Sequence, residues 1–260
     1  MIETLGEWNT WWQKGKVDTE LLGKKRLILN ELKNALSFKE IKLLIGIRRS
    51  GKSTLFYQLI DYLLKSGVEP EHILLINFED DLLSKKSLKE IFDVYQSNIN
   101  PNTKPFLFLD EVHRCSEWSL FLKKLYDLKK VNQIFITDSS SKFIKKEYAK
   151  VLTGRNVKIT IFPLSFKEFV NWKIGKLKQP LTSGNINRLK KELNDYVKWG
   201  GFPEIFFKTS SGMKKKILTE YFSDIIDKDI IERYNVNYSK IKPLADFLLA
   251  NIGSLFSPRK

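Results

Sequence analysis

From Ile41 onward, short runs of consecutive apolar residues alternate with longer stretches whose apolar positions recur every three or four residues. Ile41–Ile45, Ile73–Phe78, Phe106–Leu109 and Ile134–Thr137 are apolar almost throughout, the pattern of strands buried on both faces. Val157–Phe162 alternates instead, as an edge strand does. Helical spacing fills the intervals at Ser53–Lys65, Ser87–Ser97 (Leu88, Ile91, Phe92 and Tyr95 on one face) and Trp118–Leu128. Strands and helices in alternation predict an α/β fold: a five-stranded parallel sheet between two helical layers, with right-handed crossovers.

The flanks differ from this core. Residues 1–37 mix aromatic and charged positions (Trp8, Trp11, Trp12, then Leu21, Leu22, Leu27, Leu29 and Leu32) and predict one or two helices in a packed N-terminal arm. After Pro163 the pattern becomes mainly helical, with periods at Ile186–Lys198, Lys214–Tyr234 and Ile241–Ile252. A glycine–serine stretch at 181–187 reads as a linker. The expected organisation is an arm at 1–37, a core at 38–180, a helical lid-like subdomain at 181–237, and a final segment at 238–260.

Composition narrows the class. The 260 residues carry a net charge of +15, which attracts polyanions such as DNA, or simply a nucleotide. No run of 18 or more apolar residues is present, so no membrane partner is expected, and the start at Met1–Trp8 lacks the basic-then-apolar pattern of a secretory signal. A single cysteine, Cys115, rules out an internal disulfide, and with two histidines a structural zinc site is not expected. A cytoplasmic location follows.

The candidate chemistry lies where the first predicted strand ends. Gly46, Ile47, Arg48, Arg49, Ser50, Gly51, Lys52, Ser53 and Thr54 form G-x-x-x-x-G-K-[ST] between a strand and a helix. Glycines allow the backbone to curl so that N–H groups face phosphate oxygens, and the helix adds its positive end. Lys52 is placed for the β- and γ-phosphates, and Ser53 for Mg2+. The third strand ends in Asp110 and Glu111 at the carboxyl edge of the sheet, where open α/β sheets bind ligands. Asp110 suits Mg2+, and Glu111 suits polarising the attacking water. One full strand, Ile73–Phe78, separates the two motifs in sequence, which predicts a strand between the two motif strands and the ATPase branch that uses a catalytic glutamate. No guanine-recognition motif occurs, which favours ATP. Thr137 and Ser139, at the end of the fourth strand, are candidate sensors of the γ-phosphate or the lytic water, with a helix-capping loop as the alternative. Arg155, and Arg48 and Arg49, are candidate cations for transition-state charge, with surface ion pairs as the alternative. His113 reads as structural.

Gly46–Thr54, Asn77–Asp80, Phe108–Glu111, Ile136–Ser140, Leu152–Arg155, Pro163–Glu168, Gly200–Pro203 and Asp229–Tyr234, in this order, resemble the prokaryotic, mainly archaeal, AAA-type ATPases that carry an uncharacterised C-terminal domain. The likeness covers about residues 20–257. It implies a three-layer P-loop NTPase fold of the additional-strand type, ATP binding, Mg2+-dependent hydrolysis, and a winged-helix region beginning near residue 238. Two departures stand out. The family's sensor strand ends Thr-Gly-Ser, whereas here it reads Thr137-Asp138-Ser139. The added carboxylate repels a γ-phosphate unless it points away or pairs with a lysine. The sequence also stops at Asn251–Lys260, where relatives continue, which implies a shortened C-terminal region.

Overall fold

In the computed structural model, residues 1–138, 151–176, 182–231 and 234–254 are described. Five parallel strands form one sheet: β1 (Ile41–Ile45), β2 (Ile73–Asn77), β3 (Phe106–Asp110), β4 (Gln133–Asp138) and β5 (Asn156–Thr160). Their spatial order is β2-β3-β4-β1-β5. A strand does separate the two motif strands, but it is β4; Ile73–Asn77 takes the outer edge next to β3. The expected edge position of the fifth strand is observed.

Alternate residues of each strand feed opposite cores. Leu43, Leu74, Ile76, Leu107, Leu109, Ile134 and Ile136 pack with the helices Leu88–Asn98 and Trp118–Asp127 on one face. Leu44, Ile73, Leu75, Phe108 and Phe135 pack with the helix Lys52–Lys65 on the other. There Phe108 stacks on Phe135 at 5.0 Å and meets Phe56 edge-on at 5.2 Å. Burial on both faces is why these strands read as unbroken apolar runs.

The arm folds as four short helices, Ile2–Trp8, Trp11–Lys14, Thr19–Leu22 and Leu29–Asn34, rather than one or two. Its role is to cover the β2 edge. The Asn9 side chain accepts from the Leu75 N–H (2.7 Å) and donates to the Leu75 carbonyl (2.8 Å), imitating a neighbouring strand. Trp11 and Trp12 both donate their indole N–H to the Ile73 carbonyl. The tryptophans are thus packing groups.

One lysine breaks the apolar rule in β1. Lys42 is buried, donates to the Phe38 carbonyl and the Gln133 side chain, and has its pKa pulled down from 10.5 to about 8 by burial. The unfolded chain therefore holds this proton more tightly than the folded one. Folding stability rises as pH climbs from about 8 to 10.5 and is insensitive to this group below that window. Replacing Lys42 and Gln133 together by methionine should remove the rise. Urea midpoints of wild type and double variant, compared from about pH 7 to pH 10, test it, and parallel curves would refute it.

The chain divides into two compact units, Met1–Pro203 and Glu204–Lys260. The first includes the helices Phe166–Ile174 and Ser183–Trp199. In the second, the stretch expected as one helix over 214–234 is an α-helix at Ser211–Asp224 that continues as a π-helix at Ile225–Ile231. A final helix covers Tyr238–Ala250. No helix among the described residues is long and apolar enough to cross a membrane.

Candidate nucleotide site

Three neighbouring strands, β1, β4 and β3, end at the same edge of the sheet, and each delivers part of the site. The loop from Gly46 to Gly51 leaves β1 and enters the helix Lys52–Lys65. Gly46 is required by a close approach: a Cβ there would collide with the Ile161 backbone carbonyl. Gly51 has φ 95°, a conformation that favours glycine, and Arg49 also turns left-handed at φ 64°. The N-cap of the helix that follows is Gly51, which offers no side-chain acceptor to the first N–H groups. The Ser50 hydroxyl is buried and lacks a hydrogen-bond partner among the described residues. These are the features of an anion cradle.

Lys52 is 5% exposed; its ammonium donates to the Gly46 (3.0 Å) and Ile47 (3.2 Å) carbonyls and lies 3.9 Å from Glu111 Oε1. Burial pushes its pKa down, while Glu111, Asp110 and Asp138 push it up; burial prevails. The exposed Ser53 hydroxyl lies on the Asp110 side of the loop and favours the charged form of that carboxylate. Asp110 is buried at the end of β3; desolvation raises its pKa, partly offset by hydrogen bonds from Ser53 and Thr137. A serine hydroxyl and a buried carboxylate on facing elements form the hard-oxygen pair that Mg2+ takes, so the residues fit that ion.

The Thr137 hydroxyl, expected as a sensor, is engaged within the protein. It donates to Asp110 Oδ1 and accepts the Glu111 backbone N–H at 3.0 Å. It therefore fixes the Asp110–Glu111 pair rather than presenting a free hydroxyl. Ser139 lies outside the described residues. Arg48 meets Glu79 at 3.3 Å, and Arg114 meets the same carboxylate at 3.6 Å, which gives the Asn77–Asp80 segment a place beside the loop.

Arg155 is not brought to this site. It precedes β5, whose residues run parallel to β1, and its carbonyl accepts the N–H of Ile41, the first residue of β1. It therefore stands at the amino edge of the sheet, a strand length of about 16 Å from the loop. Its guanidinium pairs with Asp127 at 2.8 Å on the surface. Within this chain the surface-pair alternative holds.

His113, by contrast, is brought in. Glu111 adopts φ 50°, ψ 45°, and the next residues form a short 3-10 turn, Val112–Arg114. That fold-back places His113 Nδ1 3.3 Å from Glu111 Oε2 and 3.2 Å from Asp138 Oδ1. Asp138, 1% exposed, thus faces a histidine, and its charge also favours the Lys52 ammonium. The only sequence signal for this was the shared strand edge.

Residues 38–170 match the family described as an AAA domain. An uncharacterized protein of Methanocaldococcus jannaschii is 34% identical over 93% of this chain and 53% of its own length. An uncharacterized protein of Haemophilus influenzae is 34% identical over 89% of this chain and 57% of its own length. The chain thus spans about half the length of the curated relatives it matches. A Walker-type ATPase of Pyrococcus abyssi superposes with a TM-score of 0.50 at 16% identity, covering 94% of this chain and 88% of that one. That likeness is one of fold, and the fold is the three-layer P-loop NTPase arrangement with a helical region after it.

Proposed function

The chain belongs to the AAA-domain family, and from that premise we propose that it binds ATP with Mg2+ and hydrolyses it. The observation that carries this reading is one convergence: Lys52 of the loop lies 3.9 Å from Glu111, which directly follows Asp110 at the end of β3. In this reading the loop backbone and Lys52 hold the phosphates. Ser53 and Asp110 hold Mg2+, which supplies charge neutralisation when bound. Glu111 orients the attacking water and accepts its proton, and Thr137 keeps Glu111 and Asp110 in register. Such sites accelerate the reaction through positioning and electrostatics. The nucleotide state drives movement of the helical region beyond the core, with residues 181–237 acting as a lid and 238–260 as the start of a winged-helix region. The test is steady-state phosphate release from Mg-ATP by the purified chain. Release no faster than in the Glu111→Gln variant sinks the reading.

A second reading, a nucleotide-dependent DNA-binding protein, is favoured by the net charge of +15. Counterion release then requires duplex or single-strand affinity to fall steeply between about 50 and 200 mM salt. Filter binding that detects no complex at the lower salt removes this reading.

A further inference from the structure

We propose that Glu111, His113 and Asp138 form a binding site for a transition-metal dication such as Zn2+, distinct from the Ser53–Asp110 pair that suits Mg2+. One ligand atom from each residue lies within 4.8 Å of the others. The two edges at His113 Nδ1 are 3.2 and 3.3 Å. Ligands held about 2.1 Å from one metal ion stand about 3.0–3.4 Å apart at octahedral to tetrahedral angles, so both edges already have the spacing of a coordination shell. The third edge, between the two carboxylates, is no longer than 4.8 Å.

A hydrogen-bonded cluster explains the same residues less well. Two carboxylates approach His113 Nδ1, yet this buried atom forms no hydrogen bond among the described residues. The local backbone holds the constellation: the left-handed turn at Glu111 brings residues 111 and 113 to one side, and the Glu111 N–H bond to Thr137 ties that turn to β4, which ends in Asp138. One imidazole with two carboxylates selects for Zn2+, Mn2+ or Co2+ over Mg2+, which keeps oxygen ligands and its own waters. Two carboxylates beside a phosphate site also gain a counter-charge when the ion binds.

A regulatory consequence rests on the proposed ATPase reading. A Glu111 carboxylate committed to such an ion cannot orient water, so Zn2+ inhibits hydrolysis even when Mg2+ is abundant.

The experiment uses the whole chain and Co2+ as an optical probe, without nucleotide. One equivalent of Co2+ is expected to produce visible d–d absorption, to be displaced by Zn2+, and to survive a large excess of Mg2+. His113→Ala and Asp138→Asn should each weaken binding by more than about tenfold. His72→Ala, which alters the second of two histidines, should leave it unchanged. If His113→Ala does not fold by circular dichroism, the imidazole nitrogen shifts of wild type decide: Zn2+ must move His113 and not His72. Absence of d–d bands in folded wild type, bands retained in His113→Ala, or unmoved His113 shifts overturn the site. A chain that binds Co2+ through His113 and releases no phosphate refutes the ATPase reading alone. A chain that hydrolyses ATP and shows no bands refutes the metal site alone.

Discussion

Lys52→Ala is expected to remove both nucleotide binding and turnover, whereas Glu111→Gln removes turnover and leaves binding intact. The difference follows from what each side chain does in the fold. Lys52 is a buried cation that spans the loop, held by the Gly46 and Ile47 carbonyls and facing Glu111. Removing it leaves the cradle its backbone donors but deprives it of a fixed positive charge in a low-dielectric setting. Glutamine at 111 keeps the size of the side chain and the backbone N–H bond to Thr137, and loses the negative charge and with it the ability to accept a proton. Losing one preorganised group of this kind costs at least about a hundredfold in rate. Phosphate release and titration with a fluorescent ATP analogue separate the two variants. A Glu111→Gln protein that turns over at the wild-type rate would show that Glu111 is not the water-orienting group.

The parts of the site that depend on strand ends were legible in the chain. Leu107–Asp110 is buried, so the apolar run marks the strand and the acids that close it mark the sheet edge. The same holds for β1 and the loop it feeds. Arg155 shows where that reasoning needs strand direction: a residue that precedes a parallel strand lies at the edge opposite the phosphate loop. Other features were hidden for physical reasons. His113 reaches Asp138 only because Glu111 turns left-handed, a backbone choice that its sequence does not announce. The π-helix at Ile225–Ile231 retains helical spacing of apolar residues, so a widened turn leaves little trace in the pattern. Arg26 is one of 45 lysines and arginines in the chain, and nothing in its local pattern marks a partner 142 residues away.

That partner gives Arg26→Ala the largest expected effect on stability. Arg26 is 6% exposed and forks onto Glu168, with Nε to Oε1 at 2.9 Å and Nη2 to Oε2 at 3.3 Å. Its Nη1 donates to the Ser50 carbonyl (2.8 Å) and its Nη2 also to the Phe162 carbonyl (2.9 Å). One guanidinium thus ties the phosphate loop to the segment after β5. Glu168 in turn caps its own helix through Ser165 and accepts the Leu27 N–H. Burial pushes the Glu168 pKa up, but Arg26 and the backbone donors of Ser165 and Leu27 hold it below 4.5. Alanine at 26 leaves that carboxylate buried without its cation, a loss of about 3–5 kcal/mol, or roughly 6–20 °C in Tm for a protein of this size. With the folded pKa depressed, the pair's contribution is present above pH 4.5 and fades as pH falls through the folded value. The deficit of Arg26→Ala should therefore be greatest near neutrality and shrink under acid, where the stranded carboxyl can protonate. Arg26→Met combined with Glu168→Met should lose less than the sum of the two single variants, because no unpaired charge remains. A deficit under about 1 kcal/mol, the range of exposed pairs, would show that Arg26 does not anchor the loop. Because the same guanidinium holds the Ser50 carbonyl, nucleotide affinity in the folded Arg26→Ala protein should fall together with stability.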